Sequence, residues 1–281
     1  MSVTYLGYRL AQQLSTSLPR GVAFRCAEQL ADLQWRWSSN DRAVVEANLS
    51  VLLGKPISAK APLVRDVFRN FGRYIVEFFS VQRLPQPEVR VEGYDHLSEA
   101  LRRRQGGIAL TAHVGNWEVG AALMHRMGLP MTAVALPHGD PRMDRLFNHQ
   151  RERCGVQVIP LGRDAARRSL QSLREGRVLG LLGDREFSGN GIRVPFCGRE
   201  VVFPRGPALL SLRSHVPAVP TFLIREGSWK FRLCLEPPIW PQTQEVTEAS
   251  VRALTQAYAA IFEQYLKQFP DQWLMFQPMT K

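Results

Sequence analysis

Residues 107–118 read GIALTAHVGNWE. Ile108–Ala112 is an apolar run of strand length, and it stops at a polar turn containing Gly115. His113 and Glu118 stand five positions apart just beyond the run. A short apolar run closed by a glycine turn and followed by a helical pattern is the signature of a buried strand handing over to a crossover helix. The fold therefore turns on whether this unit repeats along the chain.

It does repeat, downstream. Met131–Leu136, Val156–Pro160, Val178–Leu182, Val216–Leu223 and Lys230–Leu235 are further strand candidates, and helical patterns fall at about 117–128, 141–154, 164–175 and 204–214. Several connections are long enough for right-handed crossovers. The expectation is an α/β fold with a central, mostly parallel β-sheet flanked by helices. Val251, Leu254, Tyr258, Ile261, Phe262 and Tyr265 share one face of a last helix that closes on the sheet.

Upstream, the period is helical throughout. Leu63, Val67, Phe71, Ile75 and Phe78 form one stripe, widened by Phe68, Tyr74 and Phe79. Ala23, Ala27, Leu30 and Trp37 mark an earlier helix, and Val44, Val45, Asn48, Leu49 and Leu52 another. Aromatic faces near Trp35, Trp37, Tyr74 and Phe78 either pack on the core or contribute to a membrane-facing or acyl-chain-binding surface. LPQPEVRVEG, with prolines at 85 and 87, marks a boundary. The expected organisation is a helical region over 1–84 and an α/β core over 85–281, joined in one integrated domain.

An apolar content of 45% over 281 residues supports a sizeable core, and the net charge of +11 comes from 36 Lys and Arg against 25 Asp and Glu. Arginine-rich runs lie at 101–104, 151–153 and 163–168. Such an excess favours anionic partners, whether a membrane surface, an acidic carrier protein, phosphate-bearing substrates or nucleic acid. No nucleic-acid motif is present. Cys26, Cys154, Cys197 and Cys234 are scattered, with neither metal-site nor disulfide-scaffold spacing. The opening MSVTYLGYRLAQQLSTSLPR lacks a continuous hydrophobic span, so neither a signal peptide nor a membrane-spanning helix is expected.

Ligand sites in open α/β sheets form beyond the carboxyl ends of the strands, where His113 is placed. If the turn folds back, Glu118 accepts a hydrogen bond from one imidazole nitrogen, and the other nitrogen removes a proton from a hydroxyl. Equally, His113 bonds locally while Asn116 and Glu118 serve the helix start. Residue chemistry leaves both readings open. No HExxH metal arrangement is present.

A second polar cluster, GDREFSGNGIRVPFCGR, follows the Val178–Leu182 run. Its glycines at 189, 191 and 198 shape a long loop. Asp184 and Arg185 are either a structural ion pair or an anion-binding wall facing His113. FPRGPALL continues from it, with Arg205 and Gly206 opening an apolar helix whose free amides can bind phosphate. Arg142 and Arg145, after the Met131–Leu136 run, are placed to reach a phosphate or pantetheine-bearing donor. Arg163, Arg167 and Arg168 suit docking of an acidic partner. Cys154 and Cys197 are candidate nucleophiles without an adjacent histidine.

HVGNWE resembles the H-x4-E motif of the bacterial lipid A biosynthesis lauroyl/myristoyl acyltransferase family and its relatives that acylate phosphatidylinositol mannosides, within the wider glycerolipid acyltransferase superfamily. NLSVLLG, GDREFSGNGIRVPFCGR, VVFPRGPALLSLRSHVPAVP and FPDQW are similar to family segments in the same order, so the resemblance covers most of the chain. The resemblance implies a glycerolipid acyltransferase-like core. It implies that His113 is a general base and Glu118 its orienting partner, acting without a covalent acyl-enzyme. Asn116, Arg142, Arg145, Asp184, Arg185, Arg205 and Gly206 are the expected substrate- or donor-binding positions.

No permanently bound cofactor or metal is expected. Acyl carrier protein or acyl-CoA is the acyl donor, and a hydroxyl of a membrane lipid or glycolipid is the acceptor. The implied location is peripheral, on an anionic membrane at the cytoplasmic face of the bacterial inner membrane. The chain departs from many lipid A enzymes in its interrupted start and its close FPDQWLMFQPMTK, which leaves the acceptor open. The competing activities are an acyl-thioester or lipid hydrolase and a binding module for anionic lipid or nucleic acid.

Overall fold

A computed structural model describes residues 3–82, 86–102, 106–243 and 245–279. Pro85 of the expected boundary and Arg103 and Arg104 of the arginine run lie outside the described residues. Four helices come first: α1 (Val3–Ser17), α2 (Arg20–Trp37), α3 (Ser39–Leu53) and α4 (Pro62–Ser80). Strand β1 (Glu88–Glu92) and helix α5 (Tyr94–Arg102) lead into the alternating region. There, β2 (Gly107–Thr111), β3 (Met131–Ala135), β4 (Gln157–Pro160) and β5 (Val178–Leu182) are separated by α6 (Trp117–Arg126), α7 (Pro141–Arg153) and α8 (Ala165–Arg174). Then come β6 (Ile192–Phe196), β7 (Arg199–Phe203), α9 (Gly206–Ser214), β8 (Ala218–Gly227), β9 (Lys230–Leu235) and α10 (Glu248–Gln268).

Seven strands form one sheet in the order β1-β9-β8-β2-β5-β3-β4. Neighbours pair in parallel except β8 with β9, so the expected mostly parallel sheet is present. Helices cover both faces, which is why β2 and β5 are apolar without alternation. On one face Ile108, Leu110, Phe222 and Ile224 pack with Phe68, Phe78 and Phe262 from α4 and α10. On the other, Ala109 and Val219 pack under Val119, Ala122 and Leu123 of α6. Each large side chain buried this way contributes roughly 1.5–3 kcal/mol.

The first cluster also contains Ala31, Val45, Leu49 and Leu52, so α2 and α3 share an apolar interior with the sheet. Helix α4 is the organising element of that side. Val64, Val67, Phe68, Ile75, Phe78 and Phe79 are all buried, and the same helix carries Tyr74 and Glu77 toward the β2–α6 turn. The sequence places a single long loop after Asp184, but residues 192–203 instead form an antiparallel hairpin, β6–β7. Its tip, Cys197-Gly198, has φ of 53° and 73°, the left-handed pair that a two-residue hairpin turn requires.

Candidate active site

The site is built where β2 and β5 end side by side. Their parallel register sets Thr111 opposite Leu182, so each chain, two residues further on, presents a polar side chain at the sheet edge. These are His113 and Asp184. The imidazole Nδ1–H donates to Asp184 Oδ1 at 2.7 Å, and the His113 backbone N–H donates to Oδ2 at 2.9 Å. The Trp273 indole Nε1–H donates to the same Oδ2 at 3.1 Å. Burial pushes the Asp184 carboxyl up, but the His113 side chain and amide and the indole outweigh it and hold it below the usual carboxylate range. Asp184 therefore stays ionised at neutral pH and fixes the tautomer that leaves Nε2 as the basic nitrogen.

The turn that presents His113 is tied down on every side. Gly115 has φ of 66°, and a Cβ there would sit 1.9 Å from the carbonyl oxygen of Leu223. Only glycine permits this approach, which brings the Asn116 N–H to that carbonyl at 2.9 Å. The Gly115 N–H donates to the Gln272 carbonyl at 3.0 Å, and the Leu274 N–H donates to the His113 carbonyl at 2.7 Å. Trp273, between them, is 2% exposed. Replacing Trp273 with Phe keeps most of the packing but deletes the donor to Asp184. Steady-state kinetics should show kcat reduced on the order of tenfold with KM little altered.

Beneath this edge lies a cavity of about 580 Å³, within the range that holds a small-molecule ligand. His113, Trp117, Glu118, His138, Arg151 and Arg185 line its polar side. Its apolar side runs across the sheet beneath α6. Ala133, Gly180 and Ala109 lie in register on β3, β5 and β2, and Met124, Met131 and Leu233 line the same interior. Small residues in three adjacent strands leave a gap that larger side chains would fill.

Not every residue expected at the site converges here. Glu118 lines the cavity but makes no hydrogen bond to His113, whose Nδ1 is bound to Asp184. It lies on the first turn of α6 facing α7, where Arg151 grips its carboxylate through Nε at 3.0 and 3.1 Å and a terminal nitrogen at 2.5 Å. Both side chains are largely buried. Burial works against the Arg151 charge, and Glu118 more than offsets it, so the guanidinium holds its proton above its ordinary value.

Asn116 is fully buried. Its Oδ1 caps α6 by accepting from the Val119 N–H at 3.1 Å, and its Nδ2 donates to Glu77 at 2.8 Å, so its side chain is engaged inside the protein. Arg142 is bound to Asp140 and sits 4.7 Å over the Tyr5 ring, while Arg145 is exposed. Arg205 pairs with Glu248 of α10, and neither Arg205 nor Gly206 lines the cavity. Burial pushes the Cys154 thiol up to about 11 and Cys197 up to about 12, so neither is an activated nucleophile.

Three features lay outside the sequence reading. Trp273 stands out in the sequence only as the last residue of FPDQW. His138, whose Nδ1 pairs with Asp144 at 2.7 Å, sits at the same cavity after β3. The third is the row Ala109, Ala133 and Gly180. The available signal was a small residue at the centre of each otherwise bulky strand.

A histidine held by a buried carboxylate stands at the rim of a cavity with a largely apolar interior. The chain belongs to the bacterial lipid A biosynthesis acyltransferase family, which it matches over residues 3–281, and it is an acyltransferase. It is 32% identical over 246 residues to a phosphatidylinositol mannoside acyltransferase of Mycobacterium tuberculosis, covering 82% of this chain and 74% of that one. A phosphatidylinositol mannoside acyltransferase of Mycolicibacterium smegmatis is 28% identical over 287 residues, 98% of this chain and 91% of its own. A lipid A biosynthesis acyltransferase of Haemophilus influenzae is 25% identical over 188 residues, 65% and 56% of the two chains.

Proposed function

We propose that this acyltransferase moves a fatty acyl group from an acyl thioester, on acyl carrier protein or coenzyme A, to a hydroxyl of a membrane lipid or glycolipid. The observation that carries the reading is the His113–Asp184 pair at the rim of the apolar cavity. The acyl chain occupies the interior between the sheet and α6, which sets the thioester carbonyl near the rim. His113 Nε2 takes the proton of the acceptor hydroxyl as its oxygen attacks that carbonyl, while Asp184 balances the imidazolium. The tetrahedral intermediate then expels the thiolate, which receives the proton from His113. No acyl-enzyme forms.

Arg185 is the positive group best suited to face the donor or the developing oxyanion. It is half-buried at the cavity, and no ion pair engages it among the described residues. Burial lowers its ordinary pKa, and the Asp184 charge works the other way. The Glu118–Arg151 pair walls the cavity and locks α6 to α7, a positioning task. Among the described residues no helix is long and apolar enough to cross a membrane. The working location is peripheral, at an anionic inner-membrane surface, with the net charge of +11 favouring that surface. The names of the relatives make a mannosylated phosphatidylinositol the first acceptor to try.

The test is incubation of the full chain with radiolabelled acyl-CoA or acyl carrier protein, plus lipid acceptors presented in vesicles. A labelled acylated lipid is the expected product. Release of free fatty acid alone in the presence of competent acceptors would make the protein a hydrolase and overturn the reading.

A further inference from the structure

Helices α1 and α2 expose apolar side chains that a water-facing surface would not carry. Val22, Cys26, Leu30, Leu33 and Trp37 recur at three- and four-residue steps along α2. Trp37 is 79% exposed and Leu30 55%. Leu6 and Leu10 stand one turn apart on α1, the latter 57% exposed. Between these stripes, over α4, lies an apolar furrow of about 400 Å³ floored by Ala11, Ala27 and Phe68. Gly7 and Gly72 lie on its walls. Tyr8, Gln34, Phe71 and Ile75 line both this furrow and the catalytic cavity, so the two are neighbours across a single layer of side chains. Arg25 and Arg36 are exposed on α2 beside the stripe.

We propose that the furrow between α1, α2 and α4 binds one alkyl chain of the acceptor lipid while its headgroup hydroxyl reaches His113. This rests on the lipid-acceptor reading above. The cavity under α6 takes the donor chain, and a lipid acceptor brings chains of its own that need cover from water once the headgroup leaves the bilayer plane. The furrow offers that cover beside the catalytic rim. The exposed stripes at its lips seat it in the acyl layer of the membrane, with Arg25 and Arg36 at phosphate level. A continuous apolar path from bilayer to furrow means that the chain never crosses water.

Gly7 provides the test, because a side chain there meets open space and replaces a poor helix former. Gly7→Phe puts an aromatic ring on the furrow wall, at a position where a Cβ meets nothing within 4 Å. Vesicles containing a phospholipid with a diazirine at its chain terminus are irradiated with the full-length protein, and the adducts are mapped by mass spectrometry. Adducts at Ala11, Ala27 or Phe68 that Gly7→Phe abolishes support the proposal. Adducts confined to Leu6, Leu10, Leu33 or Trp37 overturn it, because the helices then only rest in the bilayer. Absence of adducts overturns it too.

Kinetics supply the second arm. Gly7→Phe should lower the ratio of kcat/KM for a mannosylated phosphatidylinositol over its deacylated, water-soluble counterpart by roughly tenfold or more. An unchanged ratio overturns the furrow while leaving acyl transfer standing. Furrow adducts without transfer to any acceptor would instead remove the proposed function and keep the furrow.

Discussion

Asp184→Asn should lower kcat by roughly 10²–10⁴-fold, close to the loss caused by His113→Ala, and the double variant should be little worse than either. The amide has the carboxylate's shape, so the core around Trp273 survives. However, it can present an N–H to Nδ1 and so select the tautomer whose Nε2 is protonated and useless as a base. Circular dichroism should report an intact fold and acyl-transfer kinetics the loss. A variant retaining more than about a tenth of wild-type kcat would remove Asp184 from the mechanism. The same substitution should change the acid dependence of stability. The folded Asp184 carboxyl lies below its unfolded value of about 3.9, so its ionisation stabilises the fold above that pH. That contribution is lost as pH falls through the depressed folded value, and Asp184→Asn has none to lose.

Arg225→Met should be strongly destabilising. Glu77 on α4 has no solvent exposure, and Arg225 on β8 grips it through Nε at 2.6 Å and a terminal nitrogen at 2.7 Å. Asn116 donates to the same carboxylate, so this pair underlies the turn that carries His113. Removing the guanidinium strands a buried anion and costs about 3–5 kcal/mol. For a chain of this size the midpoint of thermal unfolding should fall on the order of 10 °C. Glu77→Leu combined with Arg225→Met should recover much of that, because the cost lies in the unpaired charge and not in the missing bridge. A single variant that unfolds within about 1 kcal/mol of wild type would show that water reaches Glu77.

Much of the scaffold was legible because its signals are local. Val178–Leu182 and Lys230–Leu235 stand in the structure with the bounds read from their apolar runs, and α6, α7 and α8 differ by one to two residues at their ends. The β6–β7 hairpin was hidden by its glycines, although IRVPF alternates buried and exposed residues. At the site, His113 was visible from its position after a strand, but its partner was not. Glu118 lies nearby in sequence and Asp184 lies nearby in space. Only the parallel register of β2 with β5 brings residues 113 and 184 together. Trp273 and the Glu77–Arg225 pair were invisible for the same reason, since no periodicity encodes which side chain a distant segment will meet.

The strap of Gln272–Leu274 across the catalytic turn has a kinetic consequence. Its bonds join residues 113 and 115 to residues 274 and 272, and Asn48 and Asn70 of the first helices reach Met275 and Asp271. Such contacts close very long loops, whose entropy cost must be met before the contacts reward it. The catalytic turn should therefore acquire its final shape among the last events of folding. By the same path run backwards it should open first, so its amides should exchange with solvent through a partial opening, and partly folded chains, however compact, carry no trace of the activity.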